Sequence, residues 1–244
     1  MPHRRTRNGT STAADFLTRC FAPDETIALL VRRESPNKTF QRIAPLEHAL
    51  APRYLGWLAH ENSIGANIYV AANPLRSGSR KRTKECIGAV RHLYLDLDTD
   101  GEACLASLRA SHAVPTPTAV LSTSLGKYQI LWRVDGFTLE QQESTLKLLA
   151  IGFGGDPACT DCNLVLRLPG FLNRKYDPRI ASRSNTTAIS PGIPATFGWI
   201  LQRRIPCFCP MQCRRDNIPI RIAIPNAIGP GFCTNLPTER TPQS

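Results

Sequence analysis

The stretch from His92 to Gly101 (HLYLDLDTDG) constrains this chain more than any other. An apolar run rich in strand formers ends in Asp and Gly, the pattern of a buried strand running into a turn. Successive side chains on a strand alternate faces, so Leu93, Leu95 and Leu97 point into a core. Asp96 and Asp98 then share the opposite face, roughly 7 Å apart along the chain. Two carboxylates on one face of a buried strand repel each other unless a cation lies between them. Aspartate oxygens suit hard divalent cations such as Mg²⁺ or Mn²⁺. The competing reading is a solvated strand end, which holds for most isolated D-x-D pairs.

Charge and composition narrow the partners. The 244 residues carry a formal charge of +11, which calls for an anionic partner, nucleic acid before a membrane surface or an acidic protein. No apolar run approaches the roughly 20 residues that span a bilayer, and Met1 to Thr12 is basic without an apolar stretch behind it. Nine cysteines, an odd number scattered through ordinary segments, fit free thiols in a reducing cytoplasm.

In chain order, residues 1–12 read as a disordered basic arm, followed by a short helix to Cys20. Thr26–Arg33 and Thr39–Ala44 form a hairpin, Leu46–Asn62 a single helix, and Asn67–Ala72 a strand. The loop ahead of the Asp strand carries Arg76, Arg80, Lys81, Arg82 and Lys84, small polar residues between cations, suited to follow a phosphate backbone. A helix over Glu102–Arg109 precedes a strand, a turn at Gly126 and Lys127, and a second strand through Gln129 to Val134. Ser, Gly and Lys at such a turn can offer N–H groups, hydroxyls and a point charge to a phosphate. Phe137–Phe153 is an amphipathic helix. Arg167 lies within a short strand, where arginine needs a carboxylate or phosphate partner. Cys159 and Cys162 form a C-x-x-C without a second pair at zinc-finger spacing, so they read as structural.

Three motifs in this order, DLD, TSLGKYQILW and DxxxxDCNLVLRLPGFLNRK, resemble the RepB-like primase domain family, plasmid and mobile-element relatives of the archaeo-eukaryotic primases. The resemblance runs from about Asp15 to Tyr176. It implies an α/β (α+β) fold with an RRM-like core, and a metal-dependent nucleotidyltransferase: a DNA primase or primase-polymerase replicating a plasmid or other mobile element. Position by position it implies Asp96, Asp98 and Asp161 as catalytic, metal-holding acids for Mg²⁺ or Mn²⁺. Asp156 stands as the replacement should Asp161 fall on the other side of the sheet. Ser124, Gly126, Lys127, Gln129, Arg167, Asn173 and Lys175 would bind the nucleotide. Many members of the superfamily carry His where this chain has Gln129, and Gln offers a hydrogen bond but no imidazolium. The implied partners are a single-stranded DNA template, nucleoside triphosphates and a replicative helicase.

The domain is expected to span 13–180. Residues 181–244 are proline-rich without periodicity and read as a largely irregular, disordered tail. Cys207, Cys209, Cys213 and Cys233 in it are expected to be free thiols rather than zinc ligands. Two alternatives to a primase stand beside it: a nucleic-acid-binding module without catalysis, including a truncated inactive primase, and a metal-dependent nuclease.

Overall fold

The structure, a computed structural model, describes residues 9–34 and 36–175. The tail, its cysteines and residues 1–8 lie outside them. The fold is mixed α/β with two antiparallel sheets. One has the strand order β2-β1-β3-β7 and the other β4-β6-β5. Their strands are β1 (Thr26–Arg33), β2 (Lys38–Pro45), β3 (Asn67–Ala71), β4 (His92–Leu97), β5 (Ala119–Ser124), β6 (Lys127–Arg133) and β7 (Val165–Arg167).

Helices cover each sheet. α1 (Gly9–Cys20), α2 (Leu46–Leu50) and α3 (Pro52–Ser63) pack together and onto β1, β2 and β3. α4 (Gly101–Ala110) packs on β4 and β6, and α5 (Leu139–Phe153) on β4. Two expectations need correction here. Residues 9–12 belong to α1 rather than to a disordered arm. The helix expected over Leu46–Asn62 is two helices, because Pro52 holds Ala51 in an extended conformation (φ −57°, ψ 136°) that interrupts the ladder.

The leucines of β4 are in the core as the sequence predicts, and His92 and Tyr94 on the opposite face are buried as well. Leu93, Leu95 and Leu97 are buried to 2 % exposure or less, while Asp98 beyond the strand end is half exposed. The two sheets are joined by buried amides. Asn73 donates to Gln142 Oε1 (3.0 Å), Gln142 donates to the His92 carbonyl (2.7 Å), and Asn73 Oδ1 accepts from the Arg91 N–H (3.0 Å). These buried amides each have partners, so the network fixes the packing without the cost of an orphaned polar group.

The end of α5 positions the segment that carries the later acids. A capping box of Thr138 and Gln141 starts the helix, and Gly154 ends it in the left-handed region (φ +71°). Gly155 then lies so close to β4 that a Cβ there would strike Leu95. The next residue, Asp156, reaches β4 and donates its N–H to the Asp96 carbonyl (2.9 Å), an approach that the small Gly155 eases.

Candidate active site

Asp96 is the centre of an acidic cluster. Its Oδ2 accepts from Gln129 Nε2 at 3.2 Å, and the Cys159 thiol lies 3.7 Å away. The same sulfur is 3.5 Å from Asp156 Oδ2, so Cys159 stands between two carboxylates. Asp156 Oδ1 caps the 3-10 turn Pro157–Cys159 by accepting from the Ala158 N–H (2.8 Å). Burial holds the Asp96 carboxyl above the usual carboxylate range. The Gln129 hydrogen bond opposes that shift, and the charges of Asp98 and Asp156 add to it. The Cys159 thiol is pushed up to about 12 by burial and by the carboxylates of Asp96 and Asp156, so it stays protonated at neutral pH.

The opposite charge comes from the β5–β6 turn. Lys127 Nζ lies 3.3 Å from Asp98 Oδ1, with both side chains partly in solvent. Gly126 at this turn has φ +68°, which favours glycine. Ser124 ends β5 beside it.

The third predicted acid falls into a different group. Asp161 Oδ1 accepts from the Asn163 N–H (2.7 Å), and its carbonyl accepts from the Tyr94 hydroxyl. Its carboxylate belongs with Glu143 and Cys162, a set whose ligating atoms lie within 4.8 Å of one another. The Lys84 ammonium already sits 2.8 Å from each Glu143 oxygen there. The acids that bear on Asp96 are Asp98 and Asp156. The local reason is the N–H bond from Asp156 to β4, which the sequence spacing alone does not reveal.

Of the remaining predicted nucleotide residues, Arg167 and Asn173 line a small cavity with Ile68, Leu121, Thr123 and Phe171, while Gln129 and Lys175 do not. Arg167 Nη1 donates to Asn67 Oδ1 (2.9 Å), and its guanidinium lies 5.0 Å from the Tyr69 ring centroid. Asn173 is buried and donates to the Thr123 carbonyl (2.8 Å), while its Oδ1 accepts from the Lys175 N–H (3.0 Å). Lys175 itself is exposed. Gln129 Oε1 accepts from the Arg167 N–H at 3.0 Å.

The basic loop divides in two. Arg76, Arg80 and Lys81 are exposed. Arg82 is tied to Asn163, donating to its carbonyl and to its Oδ1 (2.8 Å), while Asn163 Nδ2 donates back to the Arg82 carbonyl (3.0 Å). Lys84 pairs with Glu143. These two cations are thus tied to neighbouring side chains, whereas the other three of the run extend into solvent. Two asparagines carry no mark in the sequence. Asn67, buried at 0 % exposure, accepts from both Arg167 Nη1 and the Arg174 N–H (2.9 Å each). Asn62 clamps Leu172 through both ends of its amide (2.8 and 2.9 Å). A lone Asn near the end of a helix or at the start of a strand carries no signal of a partner a hundred residues away.

Residues 34–185 match the sequence model of the RepB DNA-primase N-terminal domain. The fold is similar to the crystal structure of the catalytic domain of primase RepB′ in complex with initiator DNA. That match has 22 % identity, a TM-score of 0.56 and coverage of 78 % of this chain and 88 % of that one. A second structure of primase RepB′ matches at 23 % identity and TM-score 0.55, over 75 % of this chain and 58 % of that one. The primase-polymerase domain of cyanophage S-2L matches at 15 % identity and TM-score 0.54, over 75 % and 91 %. At these identities the likeness concerns the fold. No curated protein matches the chain. No described helix is long and apolar enough to cross a membrane.

Proposed function

The chain belongs to the RepB DNA-primase N-terminal domain family, and from that premise we propose that it is a metal-dependent primase or primase-polymerase of a plasmid or other mobile element. It would extend a strand on single-stranded DNA from nucleoside triphosphates, alongside a replicative helicase, in the cytoplasm. The observation that carries this reading is the acidic cluster of Asp96 on β4, Asp98 just beyond its end and Asp156 fastened to β4 from beyond α5, with Lys127 at its edge.

The donor set fits a hard divalent cation. It is made of carboxylates, with the charges of Asp98 and Asp156 adding to the raised proton affinity of the buried Asp96, and a cation relieves that repulsion. Asp96, Asp98 and Asp156 would hold Mg²⁺ or Mn²⁺, with Asp161 in the neighbouring group. The bound ions supply a lowered pKa for the attacking 3′-hydroxyl and a counter-charge for the leaving pyrophosphate.

In the proposed reaction the 3′-oxygen bonds to the α-phosphorus as the bond to the β-phosphate bridging oxygen breaks. The chain's own residues prepare that exchange. Lys127, held at the cluster by Asp98, presents an ammonium to the triphosphate as charge moves onto it. The Ser124–Gly126 turn offers backbone N–H groups beside it. Arg167 and Asn173 line a small cavity between the sheets, with Lys175 bonded to Asn173 through its N–H, and these three residues would contact the nucleotide from that side. Arg76, Arg80 and Lys81, exposed on the loop before β4, would follow the template backbone.

The test is synthesis of labelled product on single-stranded DNA with Mn²⁺ and nucleoside triphosphates. New strand supports the proposal. Shortened template without new strand indicates the nuclease, and DNA binding without either indicates the non-catalytic module.

A further inference from the structure

Gln129 sits on the central strand β6, opposite Asp96 on β4 and Leu121 on β5. Its side chain is 7 % exposed. One end of its amide meets the Asp96 carboxylate (Nε2 to Oδ2, 3.2 Å), and the other meets the Arg167 N–H on β7 (Oε1 to N, 3.0 Å). The two partners fix the orientation of the amide without ambiguity. A backbone N–H can only donate, so it must face the amide oxygen, which leaves the NH₂ to the carboxylate, an obligate acceptor.

This single side chain therefore crosses from the sheet that carries the acids to the sheet that carries Arg167 and the cavity wall. We infer that Gln129 is a positioning residue, not a nucleotide ligand: it fixes the Asp96 carboxylate for the cation and ties β7 to it. The inference rests on the proposed function, and it names what holds that site in shape. Few side chains can take the place. It needs a donor and an acceptor at opposite ends of one rigid group, which only Asn, Gln and neutral His supply. Leu would fill the volume and provide neither. Asn is one methylene short of spanning the gap.

Direct Mn²⁺ binding without nucleotide, read by electron paramagnetic resonance, separates positioning from nucleotide recognition. In Gln129→Leu the Mn²⁺ dissociation constant should rise about tenfold, the effect of one charge-assisted hydrogen bond, with a smaller change in nucleotide KM. Gln129→His, which keeps a donor and an acceptor, should recover most of the Mn²⁺ affinity. Unchanged Mn²⁺ binding in Gln129→Leu together with a raised nucleotide KM overturns the inference. So does a Gln129→His variant no better than Gln129→Leu. Should the variants fail to fold, the side-chain amide resonance of Gln129 in ¹⁵N-labelled wild type decides. Movement on Mg²⁺ alone supports positioning, and a response to nucleotide alone overturns it. Wild type that binds no Mn²⁺ overturns the proposed function itself, a result distinct from any of these.

Discussion

Asp156 donates its backbone N–H to the carbonyl oxygen of Asp96 at 2.9 Å, so an acid from beyond α5 is fastened directly onto β4. Cys159 fills the space between the two carboxylates, and Asp161 turns instead toward Glu143 and Cys162. This ranks the two acids. Asp156→Asn should lower strand synthesis by more than about a hundredfold, while Asp161→Asn should cost about tenfold or less, at or below the low end of the roughly 10–100-fold range of outer-shell groups. Single-turnover rates at saturating Mn²⁺ measure both. The reverse order would return Asp161 to the cluster.

The two halves of the basic loop should respond differently. Replacing Arg80 and Lys81 with Ala should flatten the dependence of log K on log salt, by about 0.7 for each single-strand phosphate no longer neutralised. Arg82→Ala should leave that slope alone, because its guanidinium is spent on Asn163. It should instead destabilise the fold by about 1–3 kcal/mol through the unpaired Asn163 groups. Salt-titrated DNA binding and urea unfolding of wild type and both variants check this.

Lys127 and Asp98 form an ion pair at 3.3 Å with side chains 32 % and 51 % exposed. Solvent screens such a pair, so Lys127→Ala should change stability by less than about 1 kcal/mol. Its nucleotide KM should nonetheless rise, because the ammonium's role is toward the triphosphate. A large stability loss with unaltered KM would make the pair structural.

His92 gives the fold an acid limit. It is fully buried, donates from Nδ1 to the Ala72 carbonyl (2.6 Å), and leaves Nε2 without a partner among the described residues. Burial lowers its pKa from 6.5 to about 4. Below pH 6.5 the unfolded chain takes up a proton that the native chain refuses. This group's contribution to stability therefore falls as pH drops from about 6.5 to about 4, then levels off. Urea midpoints should decline across that window, and His92→Gln should flatten the decline. A wild-type midpoint constant from pH 7 to 4 would contradict it.

What the sequence made legible was local. Thr26–Arg33 is a strand with the expected bounds, and the Leu alternation in β4 buries the side chains its period assigns. The family motifs led to Asp96, Asp98 and the Lys127 turn, which are neighbours in the fold. What was not legible depends on pairs far apart in the chain. Arg82 reads as a loop cation until Asn163 is found beside it. Nothing in the sequence around Gln129 shows that its amide bridges Asp96 and the Arg167 N–H. Asp156 and Asp161 lie in one short segment, and the approach to β4 that Gly155 eases separates their places. The Pro52 break was visible in the sequence, but the apolar spacing around it masked its effect on the helix.

The most direct test of the account is strand synthesis by the double variant Asp96→Asn, Asp98→Asn on single-stranded DNA with Mn²⁺ and labelled nucleotides. Thermal unfolding and template binding are measured on the same preparation. The account predicts that wild type makes product, and that the double variant makes none while remaining folded and DNA-bound. Product from the folded double variant, or none from wild type at any Mn²⁺ concentration, would contradict it.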